Sequence, residues 1–376
     1  MPETLDLSGD VVALTAAICD IPSVSGDETT LADAIETALA RSAQLEVLRD
    51  GDAIVARTHL GRSRRVVIAG HIDTVPVTAN LPTSFRDAGT ESEALWGRGT
   101  VDMKGGVAVA LHLAATLAAP RWDVTWVFYD HEEVEAELNG LGRLARLHPE
   151  WLHGDLAILG EPTNGGIEGG CNGTLRADIS TTGRAAHSAR SWRGSNAIHA
   201  AAPILDRLAH YTAAEVEVDG LVYREGLNAV GISGGIAGNV IPDRCTVSVN
   251  YRFAPSATPE QAAAHVREVF EGFDVEVSDS APGARPGLDA LLVQEFVAAV
   301  TSVTGGVAGP KYGWTDVARF AELGIPAVNF GPGNPELAHA DDEHCPTGQI
   351  RSCAAALRGW LTDDAGPDAG TPGIEE

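Results

Sequence analysis

The sequence predicts an α/β chain: a mostly parallel sheet with helices on both faces, interrupted by an inserted α+β domain with an antiparallel sheet. Three observations predict it. Short apolar runs alternate with helical patterns in the first half, as strands buried on both faces alternate with covering helices. From about Leu175 the runs become apolar–polar alternations, the mark of a sheet with one covered face. After about Pro286 the first texture returns. The domain reading is a catalytic part over 1–173, an inserted domain over 174–286, a second catalytic part over 287–362 and an acidic, disordered tail over 363–376.

Taken in order, Val11 to Cys19 reads as a helix, Val66 to Ala69 as a buried strand and "GGVAVALHLAATLA" as a helix. "VTWVFY" and "LAIL" read as two further buried strands. In the inserted part, "TLRADIST" and "TVSVNYRF" alternate as strands, with helices near Asn196 to Ala209 and Pro259 to Phe270. A last helix and the strand "PAVNF" close the first domain.

Composition excludes some functions. The chain of 376 residues carries a formal net charge of −26, which opposes nucleic acid and anionic membrane as partners, because phosphate contacts need a basic surface. No apolar run approaches the ~20 residues that cross a bilayer. "MPETLDLSGD" has neither the basic nor the apolar region of a signal peptide. Five scattered cysteines with no C-x-x-C pair fit reduced thiols. Together these imply a cytoplasmic protein, and an anionic substrate would need cations placed for it.

The chemistry-bearing residues follow the strands. Ligands of open α/β sheets bind beyond the carboxyl ends of the strands, and His71, Asp130 to Glu133 and Glu161 come just after "VVIAG", "VTWVFY" and "LAILG". Asp102 lies in "GRGTVDMKGG", a glycine-rich loop running into a helix. The loop lacks the phosphate-binding G-x-x-x-x-G-K-[ST] spacing, and a central carboxylate would repel phosphate, so it reads as a metal-carrying loop. A nucleotide-binding reading fails on both counts.

Taken singly, a histidine after a strand, a pair of glutamates or a "GEP" turn is ordinary; their joint occurrence at strand ends is not. His71, Asp102, Glu133, Glu161 and His339 supply two imidazoles and three carboxylates, a donor set suited to Zn²⁺. Two divalent cations, three carboxylates and one hydroxide cancel in charge, with Asp102 bridging. Asp73, two positions beyond His71, is placed to accept its other ring N–H and fix the tautomer. Glu132, beside the ligand Glu133, points elsewhere and is the candidate general base.

These segments, with "GRAAHSARSWRGSNAI" and "AHADDE", resemble the M20 family of co-catalytic metallopeptidases and deacylases, in order along almost the whole chain. The resemblance implies a zinc-peptidase-like fold and two zinc ions per subunit, replaceable by cobalt. It gives the same five ligands, with Asp73 orienting and Glu132 as general acid/base. It also implies a homodimer through the inserted domain, with His187 stabilising the oxyanion across the interface.

Within the family, "YREGLNAVGISGGIAGNVIPD" and "KYGWTDVARFAELGIPAVNFGPGNPELAHADDE" are similar to the desuccinylase branch. That similarity implies hydrolysis of N-succinyl-LL-2,6-diaminopimelate, a small polyanion, to succinate and LL-2,6-diaminopimelate. Arg252, Asn239, Thr315 and the backbone near Gly313 are then the candidate substrate contacts. The sequence departs from that branch at one point: Cys171-Asn172 stand where an arginine precedes the Gly-Ser/Thr entering the inserted domain, leaving Arg190, Arg193 or Arg319 to compensate. The competing readings are another deacylase of the family, such as an acetylornithine deacetylase or aminoacylase, and a non-catalytic metal-binding protein.

Overall fold

The computed structural model describes residues 5–362; the acidic tail lies outside them. The chain divides into two units. Unit 1 holds the residues up to Glu168, Leu288–Ala308 and those from Arg319 onward; unit 2 holds Gly169–Gly287 and Gly309–Ala318.

Unit 1 is built on a sheet whose strands include β1 (Glu46–Asp50), β2 (Ala53–Arg57), β3 (Arg65–His71), β4 (Asp123–Tyr129) and β5 (Leu156–Leu159). They run in the order β1–β2–β4–β3–β5 and continue to Ala327–Asn329. The stretch from β4 through β3 and β5 to Ala327–Asn329 is parallel, and β1 and β2 add an antiparallel edge. Every residue of β4 and β5 is buried. That explains their largely apolar make-up: a parallel strand covered on both faces has no polar side. Helix α1 (Val11–Cys19) matches its predicted bounds because Asp10 caps it, accepting from the amides of Val12 and Ala13 at 2.8 and 3.2 Å.

Helix α2 (Lys104–Thr116) explains the glycine-rich loop. A Cβ on Gly106 would lie 2.0 Å from the Gly160 carbonyl oxygen, and one on Gly105 2.7 Å from that of Thr100. Gly106 lets the helix start press its backbone against the end of β5, and Gly105 lets the loop before it fold tightly back on Thr100. Asp102, just before that start, and Glu161, just after Gly160, are thereby brought close.

Unit 2 contains a four-stranded antiparallel sheet of β6 (Gly173–Thr182), β7 (Gly226–Gly234), β8 (Arg244–Phe253) and β9 (Asp274–Ala281), in the order β7–β8–β6–β9. β8 alternates buried and half-exposed residues along its length, with Leu175, Ile179, Val247, Val249 and Phe253 in the core beneath. The helix expected over Asn196 to Ala209 is two helices, Ala197–Ala200 and Ala202–Ala209. Pro203 has no N–H to donate back, so the chain breaks there and restarts with proline in the first turn.

The segment Gly309–Ala318 differs from the domain reading, which placed it with the second catalytic part. It belongs to unit 2 because its bonds go there. Asn172 N donates to Lys311 O at 3.2 Å, the Cys171 thiol to Thr315 O at 3.6 Å and Trp314 Nε1 to Pro282 O at 3.1 Å. Among the described residues, no helix is long and apolar enough to cross a membrane.

Candidate metal centre

The five residues read as ligands converge in unit 1 although they come from distant parts of the chain. His71, Asp102 and Glu161 form one group and Asp102, Glu133 and His339 another; within each, the ligand atoms lie within 4.8 Å of one another. Asp102 is common to both. His71, Glu132 and Glu133 form a third such group.

His71 is the last residue of β3, paired with Tyr129 of β4, rather than the first residue beyond the strand. It is 1% exposed. Its Nε2 lies 3.2 Å from Asp102 Oδ1. From the far side, His339 Nε2 lies 3.3 Å from Asp102 Oδ2 and 3.0 Å from Glu133 Oε1. Asp102 thus has an imidazole at each oxygen, the arrangement a bridging carboxylate requires.

Asp73 does more than sequence spacing implies. The His71 Nδ1 is 3.4 Å from Asp73 Oδ1 and closer, 3.1 Å, to the Asp73 backbone carbonyl. The carboxylate itself accepts from the Ser25 hydroxyl at 2.7 Å and from the amides of Glu132 and Glu133, one on each oxygen, both at 3.1 Å. Asp73 thus meets the histidine ring chiefly through its backbone carbonyl and holds the glutamate pair through its carboxylate. The preceding amide, His131 N, donates to Glu28 Oε1 at 3.1 Å. Three consecutive amides at the end of β4 are each fixed by a buried carboxylate, which sustains His131 at a left-handed φ of 58°. Glu28, fully buried, was missed by the sequence reading. In "SGDETT" it resembles a surface acid, and its partner is about a hundred residues away.

The electrostatics call for cations. Burial works against the charged form of His71, but Asp102 and Asp73 outweigh it and hold the imidazole well above its ordinary pKa. Asp102 and Glu133 push His339 up to about 10. Against a burial effect that would raise them, His339 and His71 draw Asp102 far below the carboxylate range, and His71 helps hold Asp73 at about 2. A negative site that protonates its own imidazoles is one in which a divalent ion can take the protons' place. Mixed nitrogen and oxygen donors at this spacing fit Zn²⁺, with its bonds of about 2.0–2.2 Å. The residues present therefore fit a metal centre.

The candidate substrate contacts and His187 all lie in unit 2. His187 is exposed, and its Nδ1 accepts from Ala189 N at 3.1 Å. That bond leaves the proton of the neutral ring on Nε2. Its neighbour Ser188 donates to Asn239 O at 2.9 Å, so His187 and Asn239 sit side by side. Arg252 Nε donates to Asn250 Oδ1 at 3.0 Å, which steadies the guanidinium on β8. Gly313 is exposed, whereas Thr315 is 3% exposed.

A parallel sheet with carboxylates and imidazoles gathered at its strand ends is an arrangement suited to a metal-dependent hydrolase. Residues 67–363 match peptidase family M20/M25/M40, and the chain belongs to that family. Its relatives narrow the branch. It is 54% identical over 95% of its length to 99% of a Mycobacterium tuberculosis protein provisionally named succinyl-diaminopimelate desuccinylase. It is 48% identical over 96% of its length to 98% of the Corynebacterium glutamicum succinyl-diaminopimelate desuccinylase. Among solved structures, a Staphylococcus aureus tripeptidase superposes with a TM-score of 0.77 at 19% identity, covering 95% of this chain and 98% of that one. A Sulfolobus solfataricus M20 metallo-carboxypeptidase gives 0.76 at 15% identity, covering 94% and 98%. These two show the fold alone.

Proposed function

We propose that this protein hydrolyses the amide of N-succinyl-LL-2,6-diaminopimelate to succinate and LL-2,6-diaminopimelate, in the synthesis of lysine and cell-wall precursors. The observation that carries the reading is identity near one half, over almost the full length of both chains, to desuccinylases of that substrate. The complete donor set of the metal centre supports it. We assign two zinc ions per subunit, replaceable by cobalt. His71, Asp102 and Glu161 would hold one, and Asp102, Glu133 and His339 the other.

Divalent ions held there supply Lewis acidity at the amide carbonyl and lower the pKa of the attacking water. Glu132 takes the proton of that water as it attacks, then delivers it to the leaving amine, a role for a carboxylate beside the ligands. Asp73 holds Glu132 through its amide and so fixes where the proton is received. His187, with its proton on Nε2, donates to the oxyanion that forms. Arg252 pairs a substrate carboxylate, aided by hydrogen bonds from Asn239, Thr315 and the Gly313 backbone. The protein works in the cytoplasm as a homodimer.

The test is an assay of free diaminopimelate or the corresponding amine with succinylated and acetylated substrates side by side, on enzyme loaded with Zn²⁺. Turnover of the succinylated diaminopimelate at a kcat/KM at least a hundredfold above N-acetylornithine is expected. The reverse ranking would assign the chain to a deacetylase branch.

A further inference from the structure

The late acidic run Asp341-Asp342-Glu343 reads as a solvated stretch, and its first two residues are exposed. Glu343 is not: it is 0% exposed, and so nearly is Arg98, at 2%. Glu343 Oε2 accepts from Arg98 Nη1 at 2.8 Å, while its Oε1 accepts the amides of Val101 and Asp102 at 2.9 and 3.1 Å. The same Arg98 nitrogen donates to Ala340 O at 3.2 Å, and Gly97 N donates to Glu343 O at 3.0 Å. Two loops are thus stitched together. One runs from Gly97 to Asp102, whose carboxylate is common to two ligand groups; the other runs from His339 to Glu343.

A buried ion pair is seldom retained for stability, because desolvation consumes most of the Coulombic gain. The partners of this one point to another use. One carboxylate oxygen fixes the backbone of Asp102, and the arginine fixes the residue after His339. Ligands held by such outer partners bind ions more tightly, since no ordering remains to be done on binding. His339 needs the support most: it is the most exposed of the five ligands and has a left-handed φ of 64°.

We propose that Glu343 and Arg98 are positioning residues that lock the Asp102 and His339 loops together and so set the affinity for the ion shared by Asp102, Glu133 and His339. This inference rests on the reading of the cluster as a two-ion centre.

The test is competitive titration of metal-stripped protein with Zn²⁺ and a chromophoric chelator. It uses the wild type, Glu343→Gln, and the double variant Arg98→Met with Glu343→Gln, with thermal unfolding of each metal-free protein in parallel. Wild type is expected to bind two ions. Glu343→Gln should weaken binding of the ion shared by Asp102, Glu133 and His339 by about 10- to 100-fold and lower the Tm, because it leaves Arg98 buried without its counter-charge. The double variant, with both charges gone, should recover the Tm without recovering the affinity. It also serves if the single variant does not fold. Affinity that stays at the wild-type value, or returns with the Tm in the double variant, would make the pair merely structural and overturn the proposal. A wild type that binds fewer than two ions would overturn the two-ion reading itself.

Discussion

Two adjacent glutamates, Glu132 and Glu133, are assigned different work, and the backbone explains how. Their amides are held separately by the two oxygens of Asp73, at 3.1 Å each, so neither residue is free to rotate into the other's place. Glu133 Oε1 meets His339, which commits it to the ligand cluster. Glu132 groups with His71 and Glu133 as well, and the proposed mechanism gives it the proton exchange beside that cluster. Glu132→Gln preserves shape and hydrogen bonding but cannot accept a proton. It is expected to keep near-wild-type zinc content by elemental analysis and to lose about 10²–10⁴-fold in kcat. Substantial turnover in a fully loaded variant would place the base elsewhere.

Elements, rather than single residues, decide how close the ligands come. Helix α2 meets the end of β5 backbone to backbone at Gly106 and Gly160. In Gly106→Ala, helix propensity alone favours the alanine by about 1 kcal/mol. The new Cβ, however, would start 2.0 Å from a carbonyl oxygen, and overpacking of this kind costs about 1–3 kcal/mol. A net loss of stability is expected, with a larger loss of zinc affinity as the helix start carries Asp102 away from Glu161. Thermal unfolding and metal titration check both; a variant more stable than wild type with unchanged affinity would refute the close-packing account. Much of this level was legible beforehand. The buried strands announce themselves as apolar runs, and "GRGTVDMKGG" could be read as a metal loop from its carboxylate. What sequence could not reveal is held by partners far apart in the chain. Glu28 and Glu343 look like surface acids because local sequence says nothing of the amides they accept from residues about a hundred or more positions away. The place of Gly309–Ala318 was hidden likewise, since its bonds to Asn172 and Cys171 leave no periodic trace.

At the scale of the molecule, a net charge of −26 repels the polyanionic substrate proposed for it, so that substrate would need cations placed locally, the role proposed for the metal ions and Arg252. The same scale raises the question of a second copy. β7 is an edge strand of its sheet, and Val230 and Ile232 on it are 66% and 55% exposed. Unpaired apolar edges invite another chain, and a two-fold partner is the simplest occupant. If the partner's inserted domain completes each active site, His187 serves the site of the other subunit. Glu132→Ala and His187→Ala, each inactive alone, can then be mixed under conditions that exchange subunits. In a mixed dimer, one site lacks both groups, while the other keeps its own Glu132 and receives an intact His187. Random exchange makes about half of the dimers mixed, so about a quarter of all sites should recover activity. With His187 acting within its own subunit, every site in the mixture lacks one group, and verified exchange would restore nothing.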